Sequence, residues 1–443
     1  MTSQSVAAED KPLNQLSARE IVDGVARGAC SPEAVVASCL ERIDAREAEL
    51  GAWAYLDADH ALAQARALEG STAPGPLFGV PVAIKDIFDT FDMPTGMGSK
   101  IYQDYRPASD AAAVAALRAA GAVILGKTVT CEFAGMAPGA TVNPHDPNRT
   151  PGGSSSGSAA AVADFMAPLA LGTQTGGSVL RPSSFCGIVG FKPSFGTINR
   201  AGVKMAAEAL DTIGIHGRSV DDVELLYDVF TSGVSSQGTT GAARQGTTGE
   251  VAPRIGFCRT FLWDSVEAET KDALDGAVVG LTGAGARVSD VDLGQEFSGL
   301  GPARDVINCV ERARAMGFEW NNHRDEISEK LTATLKKGFE TPFTTYIEAL
   351  ELAARLRGNL AQVFGENDVL LVPCVPGVAP EGLSSTGDPA LQGLWTILHV
   401  PTITLPTHWT TDGLPVGIQL VGRHRDDKLL LDVARWVMSC LRN

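Results

Sequence analysis

Between Arg149 and Lys192 the chain spends most of its positions on small residues. Two glycine–serine clusters stand there: Gly152-Gly153-Ser154-Ser155-Ser156-Gly157-Ser158 and Thr175-Gly176-Gly177-Ser178. A small-residue helix signal from Ala159 to Ala163 and a short apolar run from Leu169 to Leu171 lie between them. Such a stretch has little bulk to contribute to a core. Its glycines let the backbone come close to other groups and turn N–H donors toward them. Its serines supply hydroxyls that act as nucleophiles where a base is near.

The surrounding pattern supplies the missing bulk. Leu77 to Ile84 is apolar and bounded by turn residues, which reads as a buried strand with Lys85 at its end. Ser109-Asp110 reads as the cap of a helix running through Ala120, with a strand from Ala122 to Leu125 after it. That is a β-α-β pattern and favours parallel strands. Further strands are expected at 188–191, 254–257, 287–291, 368–372, 402–405 and 416–421. Between 303 and 364 the pattern is mainly helical, and Asp426 to Cys440 reads as a closing helix. The fold class expected is α/β, a mixed, largely parallel twisted sheet flanked by helices. One domain is expected over 1–443, with a core at about 75–225 and a helical, substrate-shaping cap at about 300–400. The Ser/Thr/Gly-rich segment 231–250 reads as a surface loop.

Composition narrows the function. The formal charge is −16, which argues against a main role in nucleic-acid binding, because phosphate neutralisation needs a basic surface. No run approaches the length of uninterrupted apolar residues that a membrane helix needs, and no secretory leader is evident. Eight scattered cysteines without a C-x-x-C pair read as reduced thiols of a cytoplasmic protein, with no metal site among them.

Three separated motifs, in order, carry a resemblance. Gly79-Val80-Pro81-Val82-Ala83-Ile84-Lys85-Asp86 fits G-V-P-x-x-x-K-D. G-G-S-S-S-G holds Ser154, and T-G-G-S-V-L-R-P holds Ser178, 24 positions later. Asn143-Pro144-His145-Asp146-Pro147, Gly190-Phe191-Lys192-Pro193 and Gly413-Leu414-Pro415-Val416-Gly417 add to it. With these motifs the chain resembles the amidase signature family from about Leu16 to about Val437. The resemblance implies a Ser–Ser–Lys triad with no metal or organic cofactor. Ser178 would be the nucleophile and a neutral Lys85 the base. Ser154, after a cis Gly153–Ser154 peptide, would relay the proton. A lysine buried in apolar surroundings can be neutral near pH 7. Asp86 is expected to serve local structure, since a carboxylate paired with Lys85 would oppose deprotonation.

The backbone N–H groups at Thr175, Gly176 and Gly177 are placed to receive an oxyanion. Phe133, Gly135 and Met136 are candidates for the substrate pocket, although Phe133 and Met136 fit equally well as packing beneath their loop. Arg181 has two readings, a substrate carboxylate binder or a structural arginine. Gln174 stands where many family members carry Asp, and keeps hydrogen bonding without charge. His145 reads as packing. The G-x-S-x-G elbow is not found around Ser178.

The substrate expected is a small amide, with carbamates, anilides and esters as extensions of the same acyl-transfer chemistry, and a urethanase or aryl acylamidase as one specialisation. A homodimer is compatible with this. The alternative is a glutaminase-type subunit of a tRNA-dependent amidotransferase; Gln174 and the short C-terminal region lean against it. A nucleotide-binding loop fails for want of the G-K-[S/T] ending.

Overall fold

The computed structural model describes residues 11–70, 75–231 and 252–441. The segment expected as a surface loop, 231–250, lies outside these residues except for Thr231, which ends a helix.

Side chains alternate along the strands beside Lys85, and the alternation sorts them into two layers. Val82, Ile84, Leu169 and Leu171 enter one apolar cluster, while Ala83 and Ala170 enter another on the opposite face. This is the period of two expected of a sheet covered on both sides. Among the described residues eleven strands form that sheet. They are β1 (Trp53–Leu56), β2 (Pro81–Lys85), β3 (Val123–Thr128), β4 (Leu169–Gln174), β5 (Val189–Lys192), β6 (Thr212–Gly217), β7 (Arg254–Phe257), β8 (Arg287–Asp290), β9 (Val369–Pro373), β10 (Thr402–Trp409) and β11 (Pro415–Val421). Their spatial order is β1-β3-β2-β4-β6-β5-β10-β11-β9-β7-β8.

The sheet is mixed and flanked by helices, as expected, but it is not largely parallel. Four of its pairings are parallel and six antiparallel. The reason lies in two insertions. β4 and β5 run parallel, as their crossover helix demands, but β6 slots between them and pairs antiparallel with both. β9 and β10 are likewise separated by β11. A β-α-β pattern gives the relative direction of two strands and does not show what is inserted between them.

On the face of Ala83 and Ala170, the helices Pro32–Leu50, Ala58–Leu68 and Ser156–Ala163 contribute to the core. The third of these is the small-residue segment, and its lack of bulk lets it lie close against the strands. Gly157 shows how close: a Cβ there would come 2.5 Å from Val129 N and overlap the Ala52 carbonyl oxygen. The opposite face is covered by Ala18–Ala26, Ala112–Ala119, Val220–Thr231, Ala268–Gly283 and Asp427–Leu441. The helix expected after Ser109-Asp110 forms, but neither residue caps it. Its first turn follows Ala111, and Asp110 instead accepts from Phe91 N at 3.1 Å and pairs with Arg118 at 3.0 Å.

The region expected to be helical holds Leu300–Ala315, Glu329–Glu340 and Phe343–Phe364. The first and third share a cluster with Leu370 and Val372 of β9 and with Trp395. Among the described residues no helix is long and apolar enough to cross a membrane.

Candidate active site

β2 ends inside the protein, and its last residue is Lys85, with no exposed surface. Its Nζ lies 2.8 Å from Ser154 Oγ and 2.9 Å from Thr173 Oγ1. Burial pushes the ammonium down to about 7, since desolvation disfavours the charged form. Its neighbour Asp86 does not oppose this. Asp86 pairs with Lys127 at 3.0 Å and accepts from Gly96 N, so it serves local structure, as its position suggested. A second buried lysine, Lys192, is also pushed down to about 7, but its Nζ donates to the carbonyls of Pro193 and Val400. A low pKa alone therefore does not mark a base; a hydroxyl within reach does.

Ser154 precedes the helix Ser156–Ala163, and the Gly153–Ser154 peptide is cis. Ser178 sits on the turn between β4 and the helix Leu180–Phe185. The two glycine–serine clusters are joined directly: Ser155 N donates to the Ser178 carbonyl at 3.3 Å. Ser178 opens onto a cavity of about 510 Å³ whose lining includes Gly135, Met136, Thr175, Gly176, Gly177 and Arg181.

The turn that carries Ser178 is pinned from several sides. Thr175 Oγ1 donates to Asp211 at 2.5 Å. The Gly176 carbonyl accepts from Thr396 Oγ1 at 2.7 Å, and the Gly177 carbonyl from Arg181 N at 2.9 Å. Gln174 Oε1 accepts from Val179 N at 2.9 Å and Leu180 N at 3.1 Å, and its amide donates to Thr396 Oγ1 at 3.0 Å. A carboxylate could take the first two contacts but could not donate the third. Among the described residues no acceptor takes the N–H groups of Gly176, Gly177 or Ser178. Side chains are excluded here: a Cβ on Gly177 would overlap Gln392 Oε1 and lie 2.9 Å from Arg181 Nη1.

Arg181 is 2% exposed. Its Nε donates to the Thr386 carbonyl at 2.6 Å and its Nη2 to the Gly153 carbonyl at 2.7 Å, while Nη1 has no partner. It thus holds the backbone before Ser154 and also lines the cavity. Phe133 was a candidate for the pocket, and here the expectation needs correcting. Its ring is buried edge-on against Tyr102, 5.9 Å between centroids, which is the packing alternative, and its carbonyl accepts at 2.8 Å from Nη1 of Arg312, a residue of the cavity wall. Met136, in contrast, is 45% exposed and lines the cavity.

The histidines do not compete for the role of base. His145 packs edge-on against Trp409, and its Nε2 lies 2.9 Å from the Cys186 carbonyl. His216 Nδ1 lies 2.8 Å from Ser183 Oγ, but both residues are fully buried and neither lines the cavity. Sequence reasoning missed Thr173, the second partner of the Lys85 amine, and of the helical region expected at about 300–400 it named none of the residues, such as Arg304, Arg312 and Lys337, that line the cavity. Thr173 has no motif of its own; its signal is only that it follows Leu169 and Leu171 at the same spacing of two.

A neutral amine against one serine, a second serine opening on a cavity and a glycine turn with free N–H donors together have the means for acyl transfer. The profile of the amidase family matches residues 34–431, and the chain belongs to that family of enzymes acting on amides. The chain is 35% identical to a glutamyl-tRNA(Gln) amidotransferase subunit from Anaeromyxobacter sp. (strain K), over 96% of each chain. To the subunit of the same name from Natranaerobius thermophilus it is 30% identical, over 97% of this chain and 96% of the relative. Among solved structures, the peptide amidase of Stenotrophomonas maltophilia superposes with a TM-score of 0.84 at 26% identity, covering 97% of this chain and 98% of that one.

Proposed function

We propose that this chain is an amidohydrolase that cleaves carboxylic amide C–N bonds through an acyl-enzyme on Ser178. The observation that carries the reading is Lys85. It is a buried amine, neutral over half of its population near pH 7 and above, 2.8 Å from the Ser154 hydroxyl. As Ser178 Oγ attacks the amide carbonyl, its proton passes to Ser154 and the Ser154 proton to Lys85. The carbonyl oxygen, now negative, takes the N–H groups of the Thr175–Ser178 turn, with Gly176 and Gly177 allowing close approach. Ser154 then protonates the departing nitrogen and is reprotonated by Lys85. Water enters by the same route, adds to the acyl carbon and releases the acid, which restores Ser178.

Thr173 has a positioning role in this scheme. By taking one N–H of the Lys85 amine it leaves the lone pair aimed at Ser154. Carbamates and esters offer the same carbonyl and a leaving group that Ser154 can protonate. An aryl acylamidase or urethanase specialisation, which an apolar pocket would favour, gains no support from a cavity wall that includes Arg304, Asp305, Arg312 and Lys337.

A second reading is supported by the curated relatives. Their name describes one subunit of a glutamyl-tRNA(Gln) amidotransferase, so the same site could free ammonia from glutamine for a partner protein. The test of the first reading is ammonia release by the purified chain alone from simple primary amides, with Ser178→Ala alongside. Turnover lost in the variant supports an independent enzyme. Wild-type chain that releases nothing from any amide without another protein would refute it.

A further inference from the structure

The cavity over Ser178 has an unequal charge. Four cations, Arg181, Arg304, Arg312 and Lys337, line it against two carboxylates, Asp305 and Asp388. Arg304 and Arg312 lie eight apart on the helix Leu300–Ala315, so that they share one face two turns from each other. Lys337 comes from the helix Glu329–Glu340, which packs against it.

Both carboxylates are already engaged. Asp305 pairs with Arg304 at 2.8 Å, and Asp388 accepts from Ala390 N at 2.8 Å. The remaining cations have no such partner: among the described residues, no ion pair includes Arg181, Arg312 or Lys337. Arg312 donates to the carbonyls of Phe133 and Ala134, so no carboxylate pairs with it directly, although Asp211 acts on it from beyond contact. Arg181 keeps Nη1 unpaired while 2% exposed, beside Gly177 and therefore one residue from Ser178. A buried charged donor without a partner is costly, and an anion in the cavity relieves that cost. Lys337 bonds to no part of the turn that carries Ser178, so its place on the wall is not explained by holding the site together.

We propose that this cavity selects amides that carry a carboxylate and no ammonium group, with Arg181, Arg312 and Lys337 as the cations facing that carboxylate. The proposal rests on the reading of Ser178 as an amide-cleaving centre and adds the substrate class: monoamides of dicarboxylic acids. A zwitterion such as glutamine fits less well, because the wall holds four cations against two carboxylates, and one of these, Asp305, is already paired with Arg304.

Three amides of one chain length test this: glutaramate, its neutral diamide glutaramide, and L-glutamine. The readout is kcat/KM for the full chain, halved for the diamide because of its two equivalent amides. Glutaramate is expected to exceed glutaramide by about tenfold, from the attraction of unpaired cations in a partly desolvated site. L-Glutamine should fall below glutaramate, and the advantage of glutaramate should shrink in high salt. In Lys337→Gln the glutaramate-to-glutaramide ratio should drop at least about threefold. Because both rates come from one variant, general damage to the helix cancels in that ratio.

A wild-type ratio near one, a ratio untouched by Lys337→Gln, or L-glutamine as the fastest of the three would overturn the proposal while leaving amide cleavage at Ser178 intact. If no amide is cleaved at all, calorimetry with glutarate on Ser178→Ala separates the two ideas. Binding that weakens on adding Lys337→Gln keeps the anion site and sinks only the catalytic reading. Absence of glutarate binding removes the anion site as well.

Discussion

Lys85→Met replaces the buried amine with an unchargeable chain of similar length, and the structure says what should follow in both stability and rate. The amine is pushed down from an ordinary 10.5 to about 7 by burial. In the unfolded chain it returns to the ordinary value. Between pH 7 and 10.5 the unfolded state therefore binds more protons than the folded state, and stability contributed at this position rises with pH across that window. Below pH 7 both states carry the proton, and the full penalty of burying the charge stands. The gap corresponds to about 5 kcal/mol over the whole window, and to about 2 kcal/mol between pH 7 and 9. Methionine has no proton to lose, so the difference in unfolding free energy between wild type and Lys85→Met should move toward the wild type by about 2 kcal/mol from pH 7 to 9. Urea unfolding at several pH values measures it. The rate should follow the same group. With a pKa of about 7, roughly one molecule in eleven holds a neutral Lys85 at pH 6 and roughly ten in eleven at pH 8. Wild-type kcat/KM should therefore rise about tenfold between pH 6 and 8, and Lys85→Met should lose about 10²- to 10⁴-fold at pH 8. A stability difference that does not vary with pH, or a flat wild-type rate profile from pH 6 to 8, would refute the reasoning.

Other substitutions probe the remaining parts of the site. Ser178→Ala should abolish turnover and Ser154→Ala should lower it by several powers of ten; intact-mass measurement of an acyl adduct, present in wild type and absent in Ser178→Ala, checks the first assignment independently of rate. Gln174→Ala removes the acceptor for two backbone N–H groups and the donor to Thr396. It should cost about 2–4 kcal/mol in chemical unfolding, and an unchanged midpoint would show that the turn is held without it. Gly177→Ala should fold yet lose most of its kcat, because its methyl would overlap Gln392 Oε1 and crowd Arg181 Nη1, so that the turn itself must shift; wild-type kcat with bound substrate would argue against that turn receiving the oxyanion.

The elements that depend on local pattern were the ones readable from the residues. Ser17 and Glu20 have capping-box spacing, and both reciprocal bonds are present. Ser31 followed by Pro32 is a helix-start pattern, and the helix begins there and runs to Leu50, where Gly51 ends it at a φ of +61°. The closing helix after Asp426 forms where its apolar pattern places it, whereas the strand leading to Lys85 begins only at Pro81, the first part of the apolar run expected from Leu77 being a turn. β1, β4 and β6 were missed as strands, β4 having been read only as a short apolar run from Leu169 to Leu171. β1 is a four-residue strand, half exposed, whose identity comes from pairing with β3. β6 carries two glycines and a histidine among its six residues, and reads as a strand only because β4 and β5 flank it.

The amino-acid sequence by itself singled out the residues proposed to carry the chemistry: Lys85 after an apolar run, Ser154 and Ser178 in glycine-rich turns, and the small residues that let those turns approach their neighbours. Their roles came from the resemblance of three motifs to the amidase signature family, while the turns and the strand themselves follow from residue type and short spacing, which act within a few positions of the chain. Only the tertiary structure decided what surrounds them. Thr173 meets Lys85 from 88 positions away, and Arg312 reaches the Phe133 carbonyl across 179 positions. Phe133 itself turned inward because Tyr102 offered its ring a buried face. The charge of the cavity wall belongs to the same group, since Arg304, Arg312 and Lys337 read along the chain as ordinary positions of helices. They become a site when packing sets those helices over Ser178, and a long-range contact of that kind leaves no local pattern in the residues that make it.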